Sequence, residues 1–223
     1  MKYFIIILLL TTSQYYIFAD KRDLNMIEKK EEFEIPLTED LMREHGILNR
    51  VLLIYEEIIK RIESNTDFSV TTLSNSVNII KSFIEDYHEK LEENYLFPIF
   101  EKNKKEVRLV KTLKNQHIKG REITAKLQKL LAINGLDKDA KKSIKSLLQK
   151  FIKMYRPHEA REDTVLFPQV RSLISEKEFE ELGEKFEDLE HELFGENGFE
   201  TMVKKVENIE KELGIYNLEQ FTP

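Results

Sequence analysis

His88-Glu89-Lys90-Leu91-Glu92, with Leu96-Phe97-Pro98 behind it, returns seventy residues later as His158-Glu159-Ala160-Arg161-Glu162, with Leu166-Phe167-Pro168 behind it. A His and a Glu four apart stand on one face of a helix, about 6 Å apart along its axis. Both side chains of such a unit reach one metal centre, or the Glu spans two. The period extends further: His45 and His117 lie 72 residues apart, each with a Leu four positions before it, Leu41 and Leu113. The chain therefore reads as two copies of a helical hairpin. Each copy gives a His from its first helix, then a His and a Glu from its second.

Outward from these units the pattern is helical. Thr38 offers an N-cap with Glu39 and Asp40 in the first turn, and Leu41, Leu48, Val51, Leu52, Tyr55, Ile58, Ile59 and Ile62 follow at helical spacing to about Glu63. A second helix is predicted from about Val70 to Pro98 or just past it, a third from about Glu106 to Ile133, and a fourth from about Asp137 to Pro168. Asn134-Gly135 is a stop signal between the last two. Ser175 with Glu178 makes a capping box for a fifth helix to about Phe194, and a short sixth follows from Phe199 to Leu213. With only 7 Gly and 5 Pro in 223 residues, turn chemistry is scarce and the elements are few and long. The expected fold is all-α, an up-down-up-down four-helix bundle with one or two additional C-terminal helices. The expected division is 1–19 leader, 20–37 tether, 38–194 bundle with its fifth helix, and 195–223 C-terminal extension.

The N-terminus has the shape of a targeting segment. Lys2 supplies a positive charge, Phe4 to Leu10 is an apolar run, and Ala19 precedes the charged Asp20-Lys21-Arg22. The run is short of the roughly 20 residues a spanning helix needs, so it reads as a secretory signal peptide rather than a permanent anchor. The folded part is then exported or tethered at a membrane through its N-terminus. A net charge of −6 argues against a nucleic-acid partner, and the lysine runs at 102–105 and 138–145 read as solvated helix faces. The absence of Cys removes disulfides, zinc ribbons, iron–sulfur ligation and thiol nucleophiles together. No Gly-rich phosphate loop or Gly-x-Ser-x-Gly elbow is present. Any metal must be held by His, carboxylates, Tyr or water.

A single His on a helix is more often a packed or solvated group than a ligand. Four of them on four predicted helices, two within duplicated His-x3-Glu units, point to metal ligation. Imidazole with carboxylate suits iron, manganese or zinc, and bridging carboxylates favour a pair of redox-active ions. On these residues, with Glu44-His45 and His117, the sequence over about 38–194 resembles the hemerythrin (HHE cation-binding) family. The resemblance implies a four-helix bundle around a non-haem di-iron centre. It implies His45, His88, His117 and His158 as terminal ligands and Glu92 and Glu162 as bridges. The residues alone leave manganese and zinc open, so the iron rests on the resemblance.

Two departures from the oxygen-carrying members stand out. Where they have a second His four after that of the third helix, this chain has Arg121. Where they use a carboxylate five after the last His, Asp163 stands beside Glu162. Glu162 is preferred as the bridge because it repeats Glu92. One coordination position is then open or filled by another group, for which His191 is the candidate; its bland reading is an exposed His on an acidic helix. Tyr87 and Tyr95 flank the first unit and read as packing residues ahead of phenolate ligands. Phe83, Phe97, Phe151 and Phe167 read as an apolar shell. The function expected is binding or sensing of oxygen or a related small ligand, nitric oxide or peroxide. The alternatives are an enzyme that reduces peroxide or nitric oxide, and an interaction module stabilised by its metal.

Overall fold

The structure, a computed structural model, describes residues 35–133 and 135–223. The leader over 1–19, the tether up to residue 34 and Asn134 of the stop signal lie outside the described residues. Six helices carry the described chain, and no strand occurs among its residues. They are α1 (Leu37–Ser64), α2 (70–103), α3 (Val107–Leu131), α4 (138–173), α5 (Glu176–Phe194) and α6 (Gly198–Leu213), with a 3-10 turn at Leu218–Phe221. None of these helices is long and apolar enough to cross a membrane.

α1 starts one residue before the expected Thr38 cap. Pro36 is its N-cap, without a side-chain bond, and the Pro36 carbonyl accepts from the Glu39 and Asp40 amides. Leu37 is buried, which draws it into the first turn and places Thr38 inside the helix. Asn65, left-handed at φ 54°, ends α1. α5 begins on the Ser175–Glu178 capping box.

α2 and α4 both run on past their Leu-Phe-Pro sequences, to Asn103 and Leu173. A proline inside an α-helix leaves the carbonyl four residues back without a donor, and its ring presses on that carbonyl. Here each proline follows a short stretch of wider π-helix, Glu92–Leu96 before Pro98 and Glu162–Leu166 before Pro168. A π-turn shifts the bonding to i−5 and swings the crowded carbonyl aside, so the helix continues. α2 carries a further π stretch at Ile80–His88.

Cross-helix bonds fix directions. Asn49 meets Glu159, Glu56 meets Arg156 and Glu63 meets Lys145, so α1 and α4 run antiparallel. Glu89 meets Arg121, Glu93 meets His117 and Glu101 meets Lys114, so α2 and α3 do too. Between them lie Val51, Tyr55, Ile58, Val77, Phe83, Leu127, Leu148 and Phe151, all at most 1% exposed. Burying each such side chain contributes roughly 1.5–3 kcal/mol of transfer free energy.

α6 packs on α1 and the start of α2 with Met202, Val206, Ile209 and Leu213 buried. Polar ties fasten it there. Arg50 holds the half-buried end of α6 through a two-pronged pair with Glu210 at 2.9 and 2.6 Å, and Arg61 donates to the Leu213 carbonyl at 2.6 Å. Residues 35–223 form one compact unit.

Candidate metal centre

The two His-x3-Glu units and the two isolated His meet in the interior. His45, His88, His117, His158, Glu92 and Glu162 are each at most 3% exposed. One ligand atom each from Glu92, His117, His158 and Glu162 lie within 4.8 Å of one another, as do those of His45, His88 and Glu92. The Glu92 carboxylate stands 3.8 Å from His88 Nε2 and 3.4 Å from His117 Nε2. Glu162 stands 3.5 Å from His45 Nε2 and 3.1 Å from His158 Nε2. Each carboxylate therefore reaches both His pairs. All four of their oxygens are buried without a hydrogen-bond donor among the described residues.

Every imidazole is turned by an acceptor on its far side. His45 Nδ1 donates to Asp163 at 2.7 Å, His88 Nδ1 to Glu44 at 2.5 Å, His117 Nδ1 to Glu93 at 3.1 Å, and His158 Nδ1 to Gln116 at 2.9 Å. With the proton on Nδ1, the neutral ring has a lone pair on Nε2. Yet His45 and His88 Nε2 face each other at 3.0 Å, and His117 and His158 Nε2 at 3.1 Å. Two lone pairs at that distance repel unless a metal ion or a proton lies between them, and the carboxylates of Asp163, Glu162 and Glu159 raise His45 against the effect of burial. Two nitrogens about 2.1 Å from one ion and at right angles stand about 3 Å apart, so each pair fits one metal ion. The donor set fits two.

Without metal the electrostatics of the cluster are those of a crowded acid–base pair. Burial first, and then the charge of Glu162, pushes the Glu92 carboxyl well above the carboxylate range. Burial also acts upward on Glu162, but His158, His45 and His117 outweigh it and hold Glu162 low. Without metal the proton therefore stays on Glu92, and Glu162 is the ionised partner. Burial drives His88 well below the ordinary His value and lowers His117, so both are neutral and ready to ligate.

Asp163 is not the inward carboxylate. Glu162 points inside and Asp163 holds the outer face of His45. Arg121 is directed away from the cluster too, with its guanidinium on Glu89 at 2.6 Å and Glu93 at 2.5 Å. Burial would raise Glu93, yet its bonds to His117, Lys90 and Arg121 hold it below the usual range. Tyr155 donates to Glu89 at 2.5 Å, over Gly120, where a Cβ would meet its hydroxyl at 2.0 Å. His191 is exposed on α5 and stands outside the cluster. Tyr87 is buried between Phe83 and Phe194, and Tyr95 packs on Phe186. Phe97 stacks on His117 at 5.6 Å and Phe167 on His45 at 5.5 Å, so the Phe of each Leu-Phe-Pro covers a ring. Phe83 and Phe151 sit one layer out, against Tyr87 and Tyr155.

Comparison with known proteins agrees with this geometry. The family model described as hemerythrin HHE cation binding domain matches residues 37–170 and, in a second match, 108–214. Uncharacterized proteins of Mycobacterium bovis and Mycobacterium tuberculosis are 47% identical to the chain over 195 residues, 86% of this chain and 76% of theirs. No solved structure gave a match.

Proposed function

The chain belongs to the hemerythrin HHE cation-binding domain family, and from that premise we propose that it is a non-haem di-iron protein which binds or senses oxygen or a related small ligand, nitric oxide or peroxide. The observation that carries this reading is the pair of Nε2–Nε2 approaches, each set against carboxylate oxygens that have no other partner among the described residues. In this reading α1 to α4 form an up-down-up-down bundle, and His45, His88, His117, His158, Glu92 and Glu162 would hold the irons. A pair of ferrous ions supplies, when bound, the two electrons that oxygen takes up.

The chain's own residues do the rest. Asp163, Glu44, Glu93 and Gln116 fix the tautomer and angle of the four rings, which raises their basicity toward a cation. Glu92 would give up its proton as a cation enters, so loading would release a proton. Phe97 and Phe167 keep bulk water from two of the rings. On the sequence reading of residues 1–19, the domain works exported or tethered at a membrane.

The test is metal content and near-UV and visible absorption of protein purified from aerobic, iron-supplemented culture. Two irons per chain with near-UV ligand-to-metal charge-transfer bands are expected, and bands that change on exposure of the reduced protein to oxygen or nitric oxide. Folded protein that takes up no iron would overturn the reading.

A further inference from the structure

Behind His117, on the side away from the central cluster, the same residue types meet a second time. One ligand atom each from Glu89, Glu93 and His117 lie within 4.8 Å of one another. Glu89 and Glu93 lie four apart on α2, and His117 and Arg121 four apart on α3, so each pair shares a helix face. The two sets differ in what answers their oxygens. In the central cluster all four oxygens of Glu92 and Glu162 lack a hydrogen-bond partner among the described residues. Behind His117 every carboxylate oxygen has one. Arg121 spans the two acids, with Nη1 on Glu89 at 2.6 Å and Nη2 on Glu93 at 2.5 Å. Tyr155 donates to the other Glu89 oxygen and Lys90 to the other Glu93 oxygen, each at 2.5 Å. His117 Nδ1 donates at 3.1 Å to the Glu93 oxygen that Arg121 also holds. A guanidinium is always charged and its planar fork meets oxygens at fixed places, so Arg121 is a cation that the chain supplies itself.

The other half of the bundle gives the comparison. The offsets that relate the hairpins carry Glu89 to Glu159, Glu93 to Asp163, His117 to His45 and Arg121 to Asn49. Asn49, a neutral amide, bonds Glu159 alone of the two acids, at 3.1 Å. Among the described residues Glu159, Asp163 and His45 do not close into a ligand-type group. The acids converge behind the His where a guanidinium stands, and stay apart where an amide takes its place.

We propose that Arg121 fills a cation position behind His117 and that its charge keeps a metal ion out of it. Unblocked, Glu89, Glu93 and the Nδ1 side of His117 would offer an ion two carboxylates and an imidazole, a set that suits zinc, iron or manganese. An ion on Nδ1 would compete for the ring that Nε2 presents to the centre. Arg121 thus keeps Nδ1–H on Glu93 and Nε2 facing inward. Only this last consequence rests on the di-iron reading; the outer position stands without it. Arg121 touches no ion, and its part is that of a positioning residue which decides where along the His117 ring a metal binds.

Zinc(II) uptake by the full chain, counted as ions per chain after equilibrium dialysis, tests the proposal. Arg121→Ala is expected to bind one zinc more than wild type. Arg121→Gln keeps most of the stem and an amide donor but not the charge; it should gain the same ion, and it serves in place of the alanine variant if that one does not fold. Arg121→Lys restores a cation and should return the count to that of wild type. Adding Glu93→Gln to Arg121→Ala should remove the extra ion. A merely structural role for Arg121 would lower stability in these variants without adding an ion. The difference is read against wild type whatever the centre holds, so failure of the di-iron reading leaves this test intact. Equal zinc uptake by wild type, Arg121→Ala and Arg121→Gln would overturn the proposal. So would an extra ion in Arg121→Lys, or one that survives Glu93→Gln.

Discussion

The two hairpins, α1–α2 and α3–α4, are alike where they touch the centre and different one layer out. His45 answers to His117, His88 to His158 and Glu92 to Glu162. Behind them the outer acceptors occupy matched places too. Glu44 and Gln116 each precede a ligand-type His and each bind the His of the following helix. Glu93 and Asp163 each follow an inward Glu and each bind the His of another helix. The four bonds close a ring: α1 leans on α4, α4 on α3, α3 on α2, and α2 on α1. In the outer layer, however, the charge has diverged. Glu44 is a buried carboxylate where Gln116 is a neutral amide. Arg121 pairs with Glu89 where Asn49 donates a single bond to Glu159 at 3.1 Å. Tyr155 donates to Glu89, whereas Glu85, the residue seventy before it, leaves both carboxylate oxygens without a hydrogen bond among the described residues. The residues that face the cluster are the same in both halves, and those one layer out differ.

Breaking the inner likeness should have the largest effect. Glu92→Ala and Glu162→Ala should each lose most of the bound iron, and to the same extent, because each carboxylate reaches both His pairs; metal content per chain checks this. A variant that loses one ion and keeps the other would show that one carboxylate serves a single pair.

The outer difference is sharpened by Glu85. Burial raises its carboxyl to about 7, and Thr124, Lys81 at 3.7 Å and Arg121 offset this only in part. Its folded value lies above the unfolded one, so the protein is most stable with Glu85 protonated. That stability is fully present below about pH 4.5 and is lost as pH rises through about 7. Glu85→Gln should therefore stabilise the chain by up to about 3 kcal/mol above pH 7 and by nearly nothing near pH 4. Urea denaturation of both proteins at the two pH values decides it; a gain independent of pH would refute the cause given. Tyr155, its counterpart, should show no such window over the same range.

Asp163→Ala should weaken iron binding about tenfold while saturating iron still fills the site, since it removes only the acceptor behind His45. Competition with a chelator measures that. If Asp163→Ala empties the site as Glu162→Ala does, the inward and outward roles are reversed. His191→Ala, on exposed α5 surface, should change neither iron content nor affinity.

Much of this was legible in the chain because identity survives where chemistry is strict. The repeated His-x3-Glu units gave four of the residues that stand together in the interior and the His45–His117 spacing gave two more, while capping and turn residues gave the helices to within a few positions. The outer layer was hidden by substitution. Glu44 against Gln116, Glu93 against Asp163 and Asn49 against Arg121 keep their places but not their side chains, so a search for identical letters passes over them. The signal that would have found them is the same offset applied to hydrogen-bonding capacity rather than to identity. His191 drew attention as a fifth imidazole, but residue type carries no direction, and α5 turns it to solvent. Nothing in the letters shows the π-turns, because proline looks like a terminator until its relief is seen.

Those π-turns place a constraint on chain length. A π-turn carries one residue more than the α-turn it replaces, and one residue is about 100° of rotation around the axis. The five residues Glu92–Leu96 absorb that rotation within the wider turn, and Phe97 follows them. Deleting a single residue between Glu93 and Leu96 would restore an ordinary α-turn and leave His88 and Glu92 in place. It would leave Phe97 near its present phase, because the wider turn is what absorbs the extra residue, but it would bring Pro98 back against the carbonyl four residues before it. In this segment, length is as much a part of the site as the ligand-type residues, and a lineage could drift in most letters here while being unable to lose one.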